Sequence, residues 1–517
     1  MKQTLSDSTS LVMEVRPSPS EFTVPENILR RLLVAANSYR LDEALELLTE
    51  AARTDRGRSA LAYKDVLPAV LQLSRLLSSS SSVHPHLIFS TLRLLRNLCA
   101  GEIVNQNSFV RENGVEVVSI ASSYVDLGSN SDYSFVRVGL QVFGNVSLGG
   151  EEHRTAVWDW HFPAVFLDIA RIHKVEVFDP LCMVIYNCCK GRHERIRELS
   201  GVQGLPILIE IVRTASTVGF QEDWFKLLLS IICFEESHFL SLFSELRLVE
   251  NAGNFKYGDN HFTMEQAFLL STVAECLNKK MTEISVSNEF ANCVLGILKV
   301  AVGVLDCVSK EKFGLPTGSA AIDVLGYSLT TLRDICARDE MLSSEKDSSA
   351  GVIESLLSAG LVELMLDLLR NLEPPAIIKK SIKQVESCEN RKGYMSSNSL
   401  KVCPYKGFRR DIVGVIGNCL YRREHVQDEI RQNNGIPLLL QQCVTDEDNP
   451  FLREWGIWMV RNLLAGNAEN QREVAELKVQ GSVDLPEFAA LGLQVVVDQS
   501  GRPKLVNVSA DEKISGS

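Results

Sequence analysis

The chain has 517 residues, 45% of them hydrophobic and 23% charged, a balance with ample apolar material for a large core. Its formal net charge is −12, so the positive surface that a sequence-independent grip on DNA or RNA requires is missing, and no nucleic-acid partner is expected. Such a length accommodates either several domains or one extended repeat array.

Residues 1–20 contain no apolar core of a signal peptide, and residues 1–21 read as a disordered N-terminus. The longest apolar run, "VLGILKVAVGVL", is interrupted by Lys299, so no membrane span is expected. The thirteen cysteines show no C-x-x-C spacing, and most lie in apolar helical pattern, as reduced cytosolic cysteines do. Only the adjacent pair Cys188–Cys189 suggests redox chemistry as an alternative to packing.

The first strong signal is the phrase "RNLCAGEIVNQ" at 96–106, which returns as "RNLLAGNAENQ" at 461–471. Its anchors, Asn97 and Asn462, have counterparts at Asn145, Asn187 and Asn418. Weaker copies lie near Ser230 and Asp334. Intervals of 48, 42 and 44 residues separate Asn97 from Asn145, Asn145 from Asn187 and Asn418 from Asn462, the period of armadillo and HEAT units. The positions five and two before each Asn, and one and two after it, are apolar in nineteen of twenty cases. Those spacings place them on one helical face, so each Asn is predicted to lie on a helix beside a buried stripe. Gly101, Gly149, Gly191 and Gly466 follow four of the anchors by four residues and are expected to end those helices. A second glycine, at Gly114, Gly204, Gly360 or Gly435, separates a short first helix from a longer second one, and Pro206 and Pro437 stand near the start of the latter.

The unit is therefore a short helix, a glycine turn, a longer helix, a loop and the Asn helix. This pattern, with "G-x-P-x-L" and "N-L-x-x-G", resembles the armadillo repeat. The fold expected is all-α: a right-handed α-solenoid of armadillo/HEAT-like repeats, about ten units over 22–482.

Three segments depart from the period. "RLLSSSSSVHPH" near 76–86 reads as a solvated loop. Residues 371–407 form an insertion opening with "EPP", and 377–410 carry nine Lys/Arg against two Glu, so a basic flexible loop, or a docking or nuclear-targeting segment, is expected. After 482, "LGLQVVVDQSGRPKLVNVS" takes an extended pattern with a turn at Ser500–Gly501, which suggests a short hairpin in a 483–517 extension with a disordered tail. The array proper would then span 22–370, with a C-terminal repeat pair at 408–482.

From Phe408 to about Gly481 the chain resembles the C-terminal domain of the ataxin-10 family. The residues that carry this are "FRRDIVGVIGNCL", "NGIPLLL" and "D-x-x-NPF-x-REW", the last absent from generic armadillo repeats. The resemblance implies a cytoplasmic, non-enzymatic scaffold that binds protein partners, is able to self-associate, and acts in cytokinesis and cell survival. Nuclear access stays open.

No phosphate-binding glycine loop, dinucleotide fingerprint or nucleophile elbow occurs. "HERIR" at His193 lacks a second His, and "DEDN" at 446–449 lacks the spacing of a calcium loop. Neither a catalytic site nor a cofactor or metal site is expected. Partner binding is expected on the third-helix face, where positions seven and four before each Asn accompany it. These are Ser90 and Arg93, Val138 and Gln141, Pro180 and Met183, Asp411 and Gly414, and Trp455 and Trp458. The candidate binding residues are Trp455, Trp458, Arg461, Asn462 and Arg453, together with Asn418, Asn187, Asn145 and Asn97. Each Asn either satisfies backbone groups of the neighbouring repeat or contacts a ligand. Trp458–Asn462 resembles the peptide-gripping pair of nuclear import adaptors, so a transport or GTPase-regulating adaptor with an extended peptide in its groove is the alternative function. A ladder of such pairs is missing, which favours the scaffold.

Overall fold

Leu92, Leu95, Leu98 and Cys99 recur at helical spacing, and the segment that holds them is a helix, Pro85–Leu98, buried along that stripe. The same rule builds the rest of the chain. The computed structural model describes residues 41–79, 85–123, 133–248, 262–279, 284–303, 313–338, 351–380, 400–477, 493–497 and 503–507. The disordered ends expected at 1–21 and 509–517, most of the serine loop, and 381–399 of the basic insertion lie outside them.

Two compact units divide at Ile231/Ile232. The first begins with α1 (Leu41–Ala51) and continues with four three-helix sets. These are α2 (Asp55–Tyr63), α3 (Val66–Ser79) and α4 (Pro85–Leu98); α5 (Ile103–Arg111), α6 (Gly114–Ser122) and α7 (Ser134–Ser147); α8 (Glu151–His161), α9 (Ala164–Ala170) and α10 (Val175–Cys189); and α11 (His193–Ser200), α12 (Leu205–Val218) and α13 (Trp224–Ser230). The third helices α4, α7, α10 and α13 pack one on the next, with α1 heading the row.

The second unit repeats the plan less regularly. It contains α14 (Phe239–Leu248) and α15 (Met264–Lys279), then α16 (Asn288–Val302) and α17 (Ala320–Cys336). Two full sets follow: α18 (Val352–Ser358), α19 (Leu361–Asn371) and α20 (Phe408–Leu420), then α21 (Glu424–Gln432), α22 (Ile436–Leu440) and α23 (Leu452–Leu464). A last helix, α24, spans Ala468–Glu476. Here α15, α17, α20 and α23 form the third-helix row. Each unit is thus an α-helical stack of armadillo type. Four sets per unit make eight among the described residues, against about ten expected, because wide inserts stretch the spacing in the second unit. Near the C-terminus, β1 (Leu493–Val497) and β2 (Pro503–Asn507) pair antiparallel, with Val495 opposite Leu505.

The turns follow their glycines with one shift. Gly101, Gly191 and Gly466 end third helices at φ 68°, 72° and 77°. In the fourth case Gly150, not Gly149, takes the positive φ, and Gly149 packs closely beside Gln106 and His153. Pro206 and Pro437 fall in the first turn of α12 and α22, where a missing N–H leaves no bond unmade.

Candidate functional site: the third-helix row

The anchor asparagines tie each third helix to the one before it. Asn97 Nδ2 donates to the carbonyl of Thr49 at 3.3 Å, Asn145 to Arg96 at 2.9 Å and Asn187 to Gly144 at 3.4 Å. In the second unit Asn418 donates to Arg333 at 2.9 Å and Asn462 to Gly417 at 3.0 Å. In four of these five bonds the acceptor immediately precedes the anchor position of the previous repeat. One amide hydrogen of every anchor is therefore engaged in holding the stack.

In the four later repeats the residue four positions before the anchor lies against that same preceding residue. Arg96 Nη1 donates to Gln141 at 3.1 Å. Met183 lies on Gly144, Trp458 on Gly417, and Arg333 against Gly414. At the three glycine steps large meets small, as close packing demands. Trp455 stands edge-on to Trp458 with centroids 5.5 Å apart, and both indoles are half-buried. Sequence periodicity placed the two tryptophans on the Asn face but gave no sign of their glycine seats.

The repeated phrase has a mechanical meaning that its last two letters carry. Asn105 Nδ2 donates to Leu98 O at 2.8 Å, and Asn470 Nδ2 to Leu463 O at 3.0 Å. Gln106 reaches Cys99 O at 2.9 Å and Gln471 reaches Leu464 O at 2.7 Å. The "NQ" dipeptide thus satisfies carbonyls that a helix C-terminus leaves without partners. Gln106 also donates to Asn145 O, and Gln427 to Asn462 O, so some repeats are braced in both directions.

A buried charge cluster replaces the Asn bond at Asp334. Arg333 contacts Asp334 at 3.0 Å and Asp411 at 2.9 Å, and Tyr405 donates its hydroxyl to Asp411 at 3.0 Å. Burial works against the Arg333 charge, but the two aspartates outweigh it and hold its pKa above the usual arginine value. Burial first, then the Asp411 charge, pushes the Tyr405 phenol well up.

The "D-x-x-NPF-x-REW" element is also a fastener. Asn449 Oδ1 accepts from the backbone N–H of Arg409 at 2.9 Å, and its Nδ2 donates to Asp446 at 3.1 Å. Arg409 in turn reaches Gln442 at 3.1 Å and the carbonyl of Glu373. Phe451, at φ 64°, turns the chain into α23 and is left exposed.

The last third helix differs from the others on one face. Five positions before the anchor, Leu92, Leu140, Cys182 and Val413 are 0 or 1% exposed, whereas Ile457 is 54% exposed. Among the described residues no further third helix follows α23. The periodicity put Ile457 in the buried stripe, and the structure corrects that. Arg453 and Arg461 flank it at four-residue spacing and are exposed with it. The candidate residues thus divide. Trp455, Trp458 and Asn462 face back onto α20, and Arg453, Ile457 and Arg461 form an open stripe. Trp458 and Asn418 also border a cleft of about 550 Å³ with Glu354 and His425.

Cys188 and Cys189 are fully buried, and burial pushes the Cys188 thiol up to about 12 and Cys189 well up also. Burial disfavours the thiolate at both positions, as for cysteines that pack as small hydrophobes. No group of three or more His, Cys, Asp or Glu side chains that could hold a metal occurs among the described residues. No single described helix is long and apolar enough to cross a membrane.

A row of third helices, each bonded through a side-chain amide to the backbone of the repeat before, defines an armadillo-type helical-repeat protein. A family model described as the spinocerebellar ataxia type 10 protein domain matches residues 408–506. Ataxin-10 from Homo sapiens is 24% identical over 416 residues, covering 79% of this chain and 80% of that protein. Ataxin-10 from Pongo abelii is 24% identical over 490 residues, 91% of this chain and 95% of that one. The Ataxin-10 homolog of Dictyostelium discoideum is 40% identical over 108 residues, covering 21% and 18%. Residues 408–506 thus match the ataxin-10 domain, and most of the chain is similar to ataxin-10 proteins. Among solved structures, a designed armadillo repeat protein in complex with the peptide (KR)4 is similar at 14% identity over 50% of this chain and all of that one, with a TM-score of 0.33.

Proposed function

We propose that the chain is a non-enzymatic scaffold of ataxin-10 type that binds protein partners, a second copy of itself included, through the open face of α23. Ile457 carries the reading: its equivalents on the other anchor helices are buried, and it is exposed. Burying an isoleucine side chain stabilises by about 1.5–3 kcal/mol, so an apolar partner surface laid on α23 gains what the next repeat would supply. Arg453 and Arg461 give that surface a positive rim in an acidic protein, and arginine is favoured among interface anchors. A cytoplasmic location and a role in cell division or survival accompany this reading as the family resemblance implies.

The test compares wild type with Ile457→Asp by light scattering and by pull-down from cell extract. The variant is expected to keep its melting temperature and lose self-association or its captured partners. Unchanged mass together with an unchanged set of captured proteins would sink the assignment.

A further inference from the structure

A second cleft, of about 730 Å³, runs across the third-helix row of the first unit, from Arg96 and Arg137 past Met183 to Asp179, Glu222 and Trp224. Its two ends carry opposite charge. At the α4–α7 end Arg96 lies near Arg93, Arg137 and Arg53; burial lowers its pKa, and those three like charges lower it further. Arg93 has Glu46 at 3.5 Å and Arg53 has Glu50 at 3.0 Å. Arg96 makes only neutral contacts, with Asn97 and Gln141, and Arg137 is exposed on α7 with no carboxylate within ion-pair distance among the described residues. Two guanidinium groups crowded together without a carboxylate between them form a site for one.

At the α10–α13 end the situation is reversed. Asp179 is 7% exposed and lines the cleft. Its Oδ2 accepts from the backbone N–H of Gln221 at 3.1 Å and the backbone N–H of Glu222 also lies against the carboxylate, while the buried Oδ1 has no hydrogen bond of good geometry. A buried acceptor without a full set of donors is unfavourable, so a donor brought by a ligand is favoured there. Glu222 and Glu176, both exposed, add negative charge at the same end. Between the ends, Met183 on its glycine seat provides an apolar floor and Trp224 an aromatic wall.

We propose that this cleft holds an extended segment of a partner protein, with an acidic side chain between Arg96 and Arg137 and a basic side chain against Asp179 and Glu222. Two steps between third helices, at roughly 9 Å each, match about five or six residues of extended chain at about 3.3 Å per residue. The inference rests on the scaffold reading and adds a second site, remote in sequence from α23, with its own ligand chemistry.

Full-length protein is titrated into fluorescein-labelled peptides on a serine–alanine background, each with one glutamate and one lysine at separations from two to nine residues, in both orders, and anisotropy is read. Binding is expected to peak at a separation of five or six in one order. Arg137→Glu, at an exposed position, weakens that peptide about tenfold or more, as like charges placed together do. Replacing the peptide's glutamate by lysine restores binding to that variant. Glu222→Lys acts in the same way on the lysine end. Ile457→Asp leaves peptide affinity unchanged, so failure here and failure of the α23 interface are read separately. The proposal is overturned if no peptide binds, if affinity ignores the separation, or if both charge reversals bind as wild type does.

Discussion

Trp458 rests on Gly417: a Cβ added to that glycine would come within 2.6 Å of the indole ring. Met183 stands in the same relation to Gly144, where the added Cβ would meet its terminal methyl at 2.1 Å. The two contacts are equivalent in the repeat but differ in give, because a methionine end swings aside and an indole does not. Gly417→Ala is therefore expected to destabilise by about 1–3 kcal/mol, and Gly144→Ala by less than about 1 kcal/mol. Denaturant midpoints of the two variants check the order; a larger shift for Gly144→Ala would refute the seat model.

Asn462 and Gln427 form a reciprocal brace. Asn462 donates to Gly417 O on α20, and Gln427, from the helix after α20, donates to Asn462 O at 2.8 Å. Asn462→Ala and Gln427→Ala should each cost about 1–2 kcal/mol, since each leaves a buried carbonyl without its donor. A double-mutant cycle tests the coupling, and strict additivity would mean that the two bonds act independently.

Asp411 sits 1% exposed at the centre of the Arg333–Tyr405 cluster. Asp411→Asn keeps the shape and removes the charge, leaving Arg333 with Asp334 alone. Breaking a buried pair in this way costs about 3–5 kcal/mol, with the lower end expected because Arg333 retains some solvent contact. A thermal scan that places this variant within a degree or so of wild type would contradict a structural role for the cluster.

His161 gives the first unit an acid-sensitive point. Its Nδ1–H donates to Val157 O at 2.7 Å, Nε2 accepts from Ser119 at 3.3 Å, and the ring is held among Phe143 and Phe166. Burial lowers its pKa to about 4, against 6.5 for the free side chain, and the Val157 carbonyl offsets this only partly. Between those values the unfolded chain binds a proton that the folded chain refuses. The stability this group contributes is thus intact above pH 6.5, falls as pH drops and is gone near pH 4, a loss on the order of 3 kcal/mol. His161→Phe should flatten that part of the pH–stability curve, and an unchanged acid slope would assign it to other groups.

The helices and their repeat were legible because apolar spacing and turn glycines are local signals. Asn97 and Asn462 stood out for the same reason. Their acceptors did not, because a bond from Asn418 to the carbonyl of Arg333 joins residues 85 apart and leaves no mark on the spacing of either. Ile457 was misread for a related cause: periodicity reports that a position suits burial, not that a neighbour arrives to bury it. Asn105, Gln106, Asn470 and Gln471 were visible in the duplicated phrase itself, and only their partners, seven residues back, needed the structure. The dipolar cleft was hidden because Arg96, Asp179 and Glu222 come from three different repeats.

At the base of the segment between α19 and α20, Leu372 and Lys401 form a parallel bridge, with Glu373 N bonded to Lys401 O and Lys401 N to Asn371 O, each at 2.8 Å. The chain leaves and rejoins the stack at one clasp, and Arg409 fastens that clasp to α20 through Glu373 O. The two ends of the intervening segment are therefore held together whatever its length. Since doubling a loop costs only about 0.6 kcal/mol, the clasp marks a permissive splice point. A reporter or a whole foreign domain could be grafted there, and lineages could lengthen or trim it, without altering the register of the repeats.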